Sequence, residues 1–478
     1  MFFWTFLCAL YISYCNCQET FEVDIYGESQ HGYYITVYMG SPAQEINLLL
    51  DTGSSNIAVA VVPPTPGDVR YFHANRSTTL KRLNIAVDLH YIAGRWKGFL
   101  AEEVMDFGKG DMKFTVACME SIDEIFEPNS KFHGLLGLGY PAIALPNPSV
   151  EPFFDTLTNT QNIDNIYTLD LCGPYFTSKL QKTTCGKFEM GYNAKEIDSY
   201  HIMYTPIVKE WYYEIILTDL KIGTKHVPVK CWELNKDKSA IDSGTTALFL
   251  PKAVYDWTIA EIRKQVHHII LDKYWMNETA ACIPYDKFDI ASFPTLSLTF
   301  YHTTNSTFNL LVSPELYLLP FNVDTTLFTC FKLAFEVLDN GVLIGSSILK
   351  GFFVVFDREN KRIGFANSKH FNKTNGFPGS VTKPKYTNQN IELCKNVYES
   401  DSYDLSPLMI VVLFTAVMVT LILLYMLVSW IFKHFFMHAG ESSETSSLMA
   451  LFWKHGKTES MLIPQEMRTN EELFDEMI

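Results

Sequence analysis

Two short motifs constrain this chain more than any other feature. Asp51-Thr52-Gly53-Ser54 and Asp242-Ser243-Gly244-Thr245 each follow an apolar run, Ile46 to Leu50 before the first and Ala240-Ile241 before the second. One Asp-[Ser/Thr]-Gly reads as a turn, since Asp and Gly both favour turns, and ordinary residue usage makes a single copy common. Two copies, each fed by a strand and each followed by a hydroxyl residue, point to two mirrored loops. Each loop would deliver one carboxylate to a shared site.

The chemistry of that site explains the motif. A peptide carbonyl is a poor electrophile and water a poor nucleophile, so one carboxylate must take a proton from water while a second, protonated carboxyl polarises the carbonyl. Two carboxyls about 3 Å apart cannot both ionise and therefore share one proton. Asp51 and Asp242 are the expected catalytic pair, and the proton belongs to the pair rather than to either residue. Glycine at Gly53 and Gly244 lets each backbone turn tightly and approach the opposite loop. Hydroxyls at Thr52, Ser54, Ser243 and Thr245 can hydrogen-bond and orient the carboxylates.

The chain has 478 residues, 47% of them hydrophobic and 14% aromatic, including 25 Tyr and 35 Phe. Aromatic and β-branched runs favour strands over helices. A net charge of −15 argues against a nucleic-acid partner. The apolar, uncharged stretch Phe2 to Ile12, with Cys15-Asn16-Cys17 ahead of Gln18, reads as a secretory signal peptide over 1–17. Pro407 to Phe432 holds no charged residue and would exceed a bilayer core of about 30 Å as a helix. Glu399, Asp401 and Asp404 precede it and Lys433 and His434 follow it, which places the tail in the cytoplasm. The reading is a single-pass type I membrane protein of the secretory pathway, in Golgi, endosome or at the cell surface.

Cysteine usage agrees with export. Cys118, Cys172, Cys185, Cys231, Cys282, Cys330 and Cys394 lie between signal and membrane, an odd number that leaves one unpaired. Cys118, inside the apolar run Phe114 to Met119, is the expected buried free thiol. No Cys-x-x-Cys or His-Glu-x-x-His spacing suggests a metal, and no cofactor is implied. Sequons at Asn75, Asn277, Asn305 and Asn372 would permit glycosylation.

The body reads as short strands punctuated by turns: Tyr33 to Met39, then Gly40-Ser41-Pro42, then Ile46 to Leu50. Leu89 to Ile92 and Trp96 to Leu100 form an expected hairpin with Gly94 at its tip. Val254 to Ile270 is the best helix candidate. A weak internal repeat pairs Gly134-Leu135-Leu136-Gly137 with the first Asp and Val342-Leu343-Ile344-Gly345 with the second. Two similar lobes with a cleft between them follow. Gly137-Leu138-Gly139-Tyr140-Pro141-Ala142 matches a dinucleotide fingerprint only superficially, because Pro141 and the lack of a following amphipathic helix oppose it.

Together these residues resemble the pepsin-like aspartic proteases over about Gly32 to Ala366. The matching elements are Gly40-Ser41-Pro42, both Asp motifs, Gly134 to Gly139, and Val354-Val355-Phe356-Asp357 running through Arg362-Ile363-Gly364-Phe365-Ala366. Glu151-Pro152-Phe153-Phe154-Asp155 and the C-terminal anchor are most similar to the membrane-anchored beta-secretases. The resemblance implies an all-β, bilobal fold and peptide-bond cleavage at mildly acid pH. It implies that Tyr91 is the flap tyrosine and Trp96 its hydrogen-bonding support, and that Gly53, Gly244 and Thr246 hydrogen-bond the substrate backbone. It implies disulfides Cys231–Cys394 and Cys282–Cys330. The usual partner of Cys172 would fall near Lys369, which is no Cys, so Cys172–Cys185 is expected instead.

Two further departures matter. Beta-secretases typically carry Arg seven residues after the second Asp, in the cleft; here Phe249 stands there and favours an apolar substrate. A usual prosegment is not evident, with Gln18 to Gln30 ahead of the first expected strand. The expected layout is 1–17 signal peptide, 18–30 short N-terminal or pro segment, 31–190 N-terminal lobe and 191–370 C-terminal lobe. A stalk at 371–406, a transmembrane helix at 407–432 and a cytoplasmic tail at 433–478 follow. In the tail, Glu459, Leu462 and Ile463 resemble an acidic-dileucine signal for trafficking adaptors. The function expected is a membrane-anchored aspartic endopeptidase acting on lumenal proteins or membrane-protein ectodomains. The alternative is an inactive binding or receptor protein of the same fold. Such relatives usually lose an Asp or the flap tyrosine, and here both Asp and Tyr91 are present.

Overall fold

The computed structural model describes residues 19–64, 70–91, 94–127, 130–147, 150–173, 186–321, 327–369, 378–395 and 407–438. The expected signal segment 1–17, Cys185, Asn372 and the expected tail residues Glu459, Leu462 and Ile463 lie outside them. The body is built of strands in two lobes, as its β-branched and aromatic runs dictate. Strand Gly32–Met39 shows the period-two pattern: Tyr33, Ile35, Val37 and Met39 are buried, while Tyr34, Thr36 and Tyr38 face outward.

The internal repeat is a repeat of topology. In the first lobe Gln44–Asp51 pairs in parallel with Gly134–Gly137, placing Leu49 opposite Leu135 and Asp51 opposite Gly137. In the second, Ser239–Ile241 pairs in parallel with Val342–Ile344. Each apolar-Gly strand also pairs antiparallel with the strand that leaves the Asp loop, Ile57–Ala60 in one lobe and Leu248–Pro251 in the other. The eight-stranded sheet of the first lobe carries the hairpin Lys81–Tyr91 and Gly94–Asp106, with Leu89 opposite Trp96.

A six-stranded antiparallel sheet joins the halves. It is ordered Phe21–Asp24, Gly186–Met190, Ile166–Leu171, Phe352–Asp357, Arg362–Asn367, Met203–Pro206. Ile166–Leu171 and Phe352–Asp357 are buried at every position and so show no period-two burial, with Thr168, Asp170 and Asp357 buried among apolar neighbours. Two strands, Phe21–Asp24 and Tyr26–Glu28, precede the one expected first. Residues 21–24 and 26–28 are therefore part of the body's sheets. The best helix runs Lys252–Val266, ending four residues before Ile270; Val254, Tyr255, Thr258, Ile259, Ile262 and Val266 form its buried face.

Cys231 bonds Cys394 and Cys282 bonds Cys330, the latter pair directly opposite on neighbouring strands. Cys172 is disulfide-bonded; its expected partner Cys185 is outside the described residues. Cys118 is free and buried, and burial pushes its thiol up to about 12, so it is unreactive at physiological pH. As a separate unit, the helix Pro407–His438 contains an exposed apolar stretch, Phe414–Ile431, long enough to cross a membrane.

A buried ion pair locks helix Phe153–Thr160 to the central sheet. Arg358, whose side chain is 2% exposed, donates to both Asp155 carboxylate oxygens at 3.0 and 2.8 Å. Its guanidinium also lies over the faces of Tyr140 and Phe154, 4.6 and 5.4 Å from the ring centres. Removing one member leaves the other buried and uncompensated. Asp155→Ala is therefore expected to destabilise the protein by about 3–5 kcal/mol, read as a lower denaturant midpoint. A change below about 1 kcal/mol, the size typical of an exposed pair, would contradict a buried lock.

Candidate active site

Both Asp motifs sit where an apolar strand ends, Gln44–Asp51 in one lobe and Ser239–Ile241 in the other. Leu138 N–H donates to the Asp51 carbonyl at 2.8 Å, and Asp242 N–H donates to the Ile344 carbonyl at 3.1 Å. The loop after each Asp is tied to its own apolar-Gly element in the same way. Gly139 N–H donates to the Ser54 carbonyl, and Ser346 N–H to the Thr245 carbonyl.

The loops then grip each other. Thr52 N–H donates to Ser243 Oγ (3.1 Å), and Ser243 N–H donates to Thr52 Oγ1 (2.9 Å). Each hydroxyl donates onward to a main-chain carbonyl of the opposite strand, Thr52 to Ile241 (2.9 Å) and Ser243 to Leu50 (2.7 Å). Four reciprocal bonds thus fix one loop against the other with no buried polar group of the two hydroxyls left over.

That grip brings the carboxyls together. Asp51 and Asp242 are 7% and 8% exposed and hydrogen-bond each other. Only glycine fits beside them: a Cβ at Gly53 would lie 2.7 Å from the Asp242 carboxyl, and one at Gly244 would press on Asp51. Gly53 N–H and Ser54 Oγ donate to Asp51, at 2.8 and 2.5 Å. Gly244 N–H donates to Asp242 at 2.9 Å. Burial raises both carboxyls above the ordinary range. Ser54 and Gly53 oppose the rise at Asp51, and the Asp51 charge adds to it at Asp242. The outcome is one proton held between two carboxyls, able to accept from water on one side and donate to a carbonyl on the other.

The pattern of eukaryotic aspartyl proteases matches residues 32–368. The chain belongs to that family. Among similar aspartyl proteases are beta-secretase of Strongylocentrotus purpuratus, 36% identical over 72% of this chain and 68% of its own length, and cathepsin E of Rattus norvegicus, 26% identical over 74% and 84%. Plasmepsin IV of Plasmodium falciparum is 24% identical over 72% and 69%. The chain is thus an aspartic endopeptidase by family, and its two buried carboxyls are too close to ionise together.

Other candidate residues of this aspartyl protease occupy less uniform positions. The Thr245 hydroxyl donates to the Asp242 main-chain carbonyl (3.3 Å) rather than to a carboxylate; its support of the carboxylate comes from its backbone N–H. The Thr246 hydroxyl donates to the Ser29 carbonyl at 2.7 Å, and so is engaged within the chain. Tyr91 ends its strand, with its side chain outside the described residues. Trp96 is 1% exposed, and among the described residues its indole nitrogen has no acceptor. Asn75, Asn277 and Asn305 are all exposed.

Two neighbours escaped the sequence reading. Burial, with added repulsion from Asp242 and Asp51, raises the Tyr212 hydroxyl, so Tyr212 stands within the field of the pair. The Lys238 ammonium lies 4.1 Å from the Tyr212 ring centre, and burial lowers its pKa. The turn Ser29-Gln30 is likewise fastened to the second lobe. Gln30 Nε2 donates to the Pro320 carbonyl (3.0 Å) and Lys350 Nζ to Ser29 Oγ (3.4 Å). The only sequence clue was the aromatic pair Trp211-Tyr212 ahead of the second motif.

The Ser54 contact predicts a pH effect. Its O–H favours the charged form of Asp51, so Ser54→Ala raises the proton affinity of the pair. Activity needs one proton removed, hence the acid limb of the kcat/KM profile should move to higher pH. A limb that stays fixed or moves lower would contradict the role given to Ser54.

Proposed function

We propose that this aspartic endopeptidase is membrane-anchored and hydrolyses peptide bonds of lumenal proteins or membrane-protein ectodomains, with Asp51 and Asp242 as the catalytic residues. The observation that carries the reading is the contact between their two buried carboxyls on mirrored loops.

The chemistry follows from one shared proton. A water seated between the carboxyls gives a proton to the ionised one as its oxygen attacks the scissile carbonyl carbon. The protonated carboxyl donates to the carbonyl oxygen, producing a neutral tetrahedral diol. A carboxyl then protonates the departing amine nitrogen, the C–N bond breaks, and a diol proton returns to the pair. Acid and base are roles of the pair, and both are renewed in each turnover.

Anchoring is supported by the apolar helix and by the charges that flank it, acidic before and basic after. That polarity supports a type I arrangement in the secretory pathway, with the body in the lumen or outside the cell and the tail in the cytoplasm. The similarity to a protein named beta-secretase supports ectodomain substrates. The tail residues Glu459, Leu462 and Ile463 offer trafficking adaptors a binding motif. Phe249, half-buried on the strand leaving the second Asp loop, favours an apolar substrate side chain.

The test is cleavage of a peptide library by the full-length protein at about pH 4 to 5, where one carboxyl of such a pair is protonated. Asp51→Asn and Asp242→Asn should each reduce kcat by about 10²–10⁴-fold while the protein stays folded. Retained cleavage in either variant would remove that residue from the mechanism. An intact library with the folded wild-type protein would favour a binding protein instead.

A further inference from the structure

A cavity of about 470 Å³ opens on the first lobe beside the short helical turn Ala74–Arg76. Its walls divide by chemistry. Val61, Val62 and Leu80 contribute half-buried aliphatic surface, and Tyr71 a half-buried ring. Arg82 and Glu120, both about half-exposed, face each other at 3.5 Å and supply donors and acceptors. Asn75 lines the same cavity, is exposed, and begins the sequon Asn75-Arg76-Ser77.

We propose that Asn75 carries an N-linked glycan whose first sugars seat in this cavity. The inference rests on the lumenal placement of the body proposed above. An N-acetylglucosamine ring has an apolar C–H face and a polar rim of hydroxyls and acetamide. It needs a wall of each kind, and a volume in the range of about 300–1,000 Å³ that encloses small ligands. The cavity offers both. Covalent attachment at the edge also makes docking intramolecular, so weak contacts suffice.

The root of the glycan is held still. Phe72 is fully buried and its N–H donates to the Ala60 carbonyl at 2.9 Å. The Gln44 side chain brackets His73, accepting from its N–H at 2.8 Å and donating to its carbonyl at 3.2 Å. Asn75 therefore keeps a fixed bearing on the cavity. The other described sequons are placed differently. Asn277 lies in an exposed turn, its side-chain oxygen accepting from the N–H groups of Thr279 and Ala280. Asn305 sits at the tip of the hairpin Leu296–Thr303 and Ser306–Val312. Glycans there project into solvent.

The experiment uses full-length protein from a glycosylating secretory host. Peptide N-glycosidase is applied for timed intervals to native and to denatured samples, and each site is read by glycopeptide mass spectrometry. The expected result is occupancy at Asn75 and native release about tenfold slower there than at Asn277 or Asn305, equivalent to a docking free energy of about 1.4 kcal/mol. Denaturation should remove the difference. Leu80→Asp should speed release at Asn75 alone. Asn75 bare while Asn277 or Asn305 is occupied, or equal native release at all occupied sites, overturns the proposal. All three bare overturns the lumenal placement as well, which separates the two failures.

Discussion

The structure depends on one contact that is expensive to make: two acidic side chains pressed together out of water. Burial alone drives both toward the neutral form, and the Asp51 charge adds to it at Asp242. Such a contact persists only if the backbone around it is over-determined. The exchange of hydrogen bonds between Thr52 and Ser243 provides that, since each residue satisfies its own hydroxyl by holding the strand that carries the other carboxyl. The same four bonds fix the separation of the lobes at the cleft floor, so the cost of burial and the precision of the site have one structural origin.

Support for this floor extends downward through packing. Tyr213 Oη donates to the Leu138 carbonyl at 2.6 Å, while Leu138 N–H binds the Asp51 carbonyl. Tyr213 packs edge-on against Phe356 of the central sheet, and Tyr167 stacks on Phe356 at 4.7 Å. Arg358, at the end of that strand, is clamped by Asp155 and capped by Tyr140. Tyr140 N–H in turn donates to the Trp211 carbonyl in the other half of the chain. A run of aromatic rings and one ion pair thus connects the backbone of the first Asp to the sheet shared by both lobes. Dense packing of this kind transmits a displacement rather than absorbing it.

Much of the site was legible because its demands are local. Asp51 and Asp242 stand out since a carboxylate at a strand end, followed by Gly and hydroxyls, has few other uses, and duplication removed chance. The apolar-Gly elements at Gly134 and Val342 were legible as repeats, but their parallel pairing with the Asp strands was not, because pairing across such separations is decided by tertiary contacts. Strand Phe21–Asp24 escaped notice because its sequence, half acidic and four residues long, acquires strand character only from its distant partner Gly186–Met190. The destinations of the Thr245 and Thr246 hydroxyls were invisible for a similar reason. A threonine in a tight loop can serve a carboxylate or a carbonyl, and the approach of Ser29 from the N-terminal turn decided the second case.

Duplication also leaves an asymmetry with chemical consequences. At matching positions, Ser54 gives its hydroxyl to the Asp51 carboxylate, whereas Thr245 gives its hydroxyl to the main-chain carbonyl of Asp242. Asp51 thereby holds a side-chain donor that favours its charge, while Asp242 sits in the field of that charge. In the free protein the hydrogen bonds bias the shared proton toward Asp242, although the titration remains a property of the pair. The bias is useful because a pair of identical carboxyls would present either orientation of donor and acceptor to the substrate carbonyl, and a pair held unequal presents mainly one. A single oxygen atom in a loop of four residues thus makes two otherwise matching carboxyls unequal.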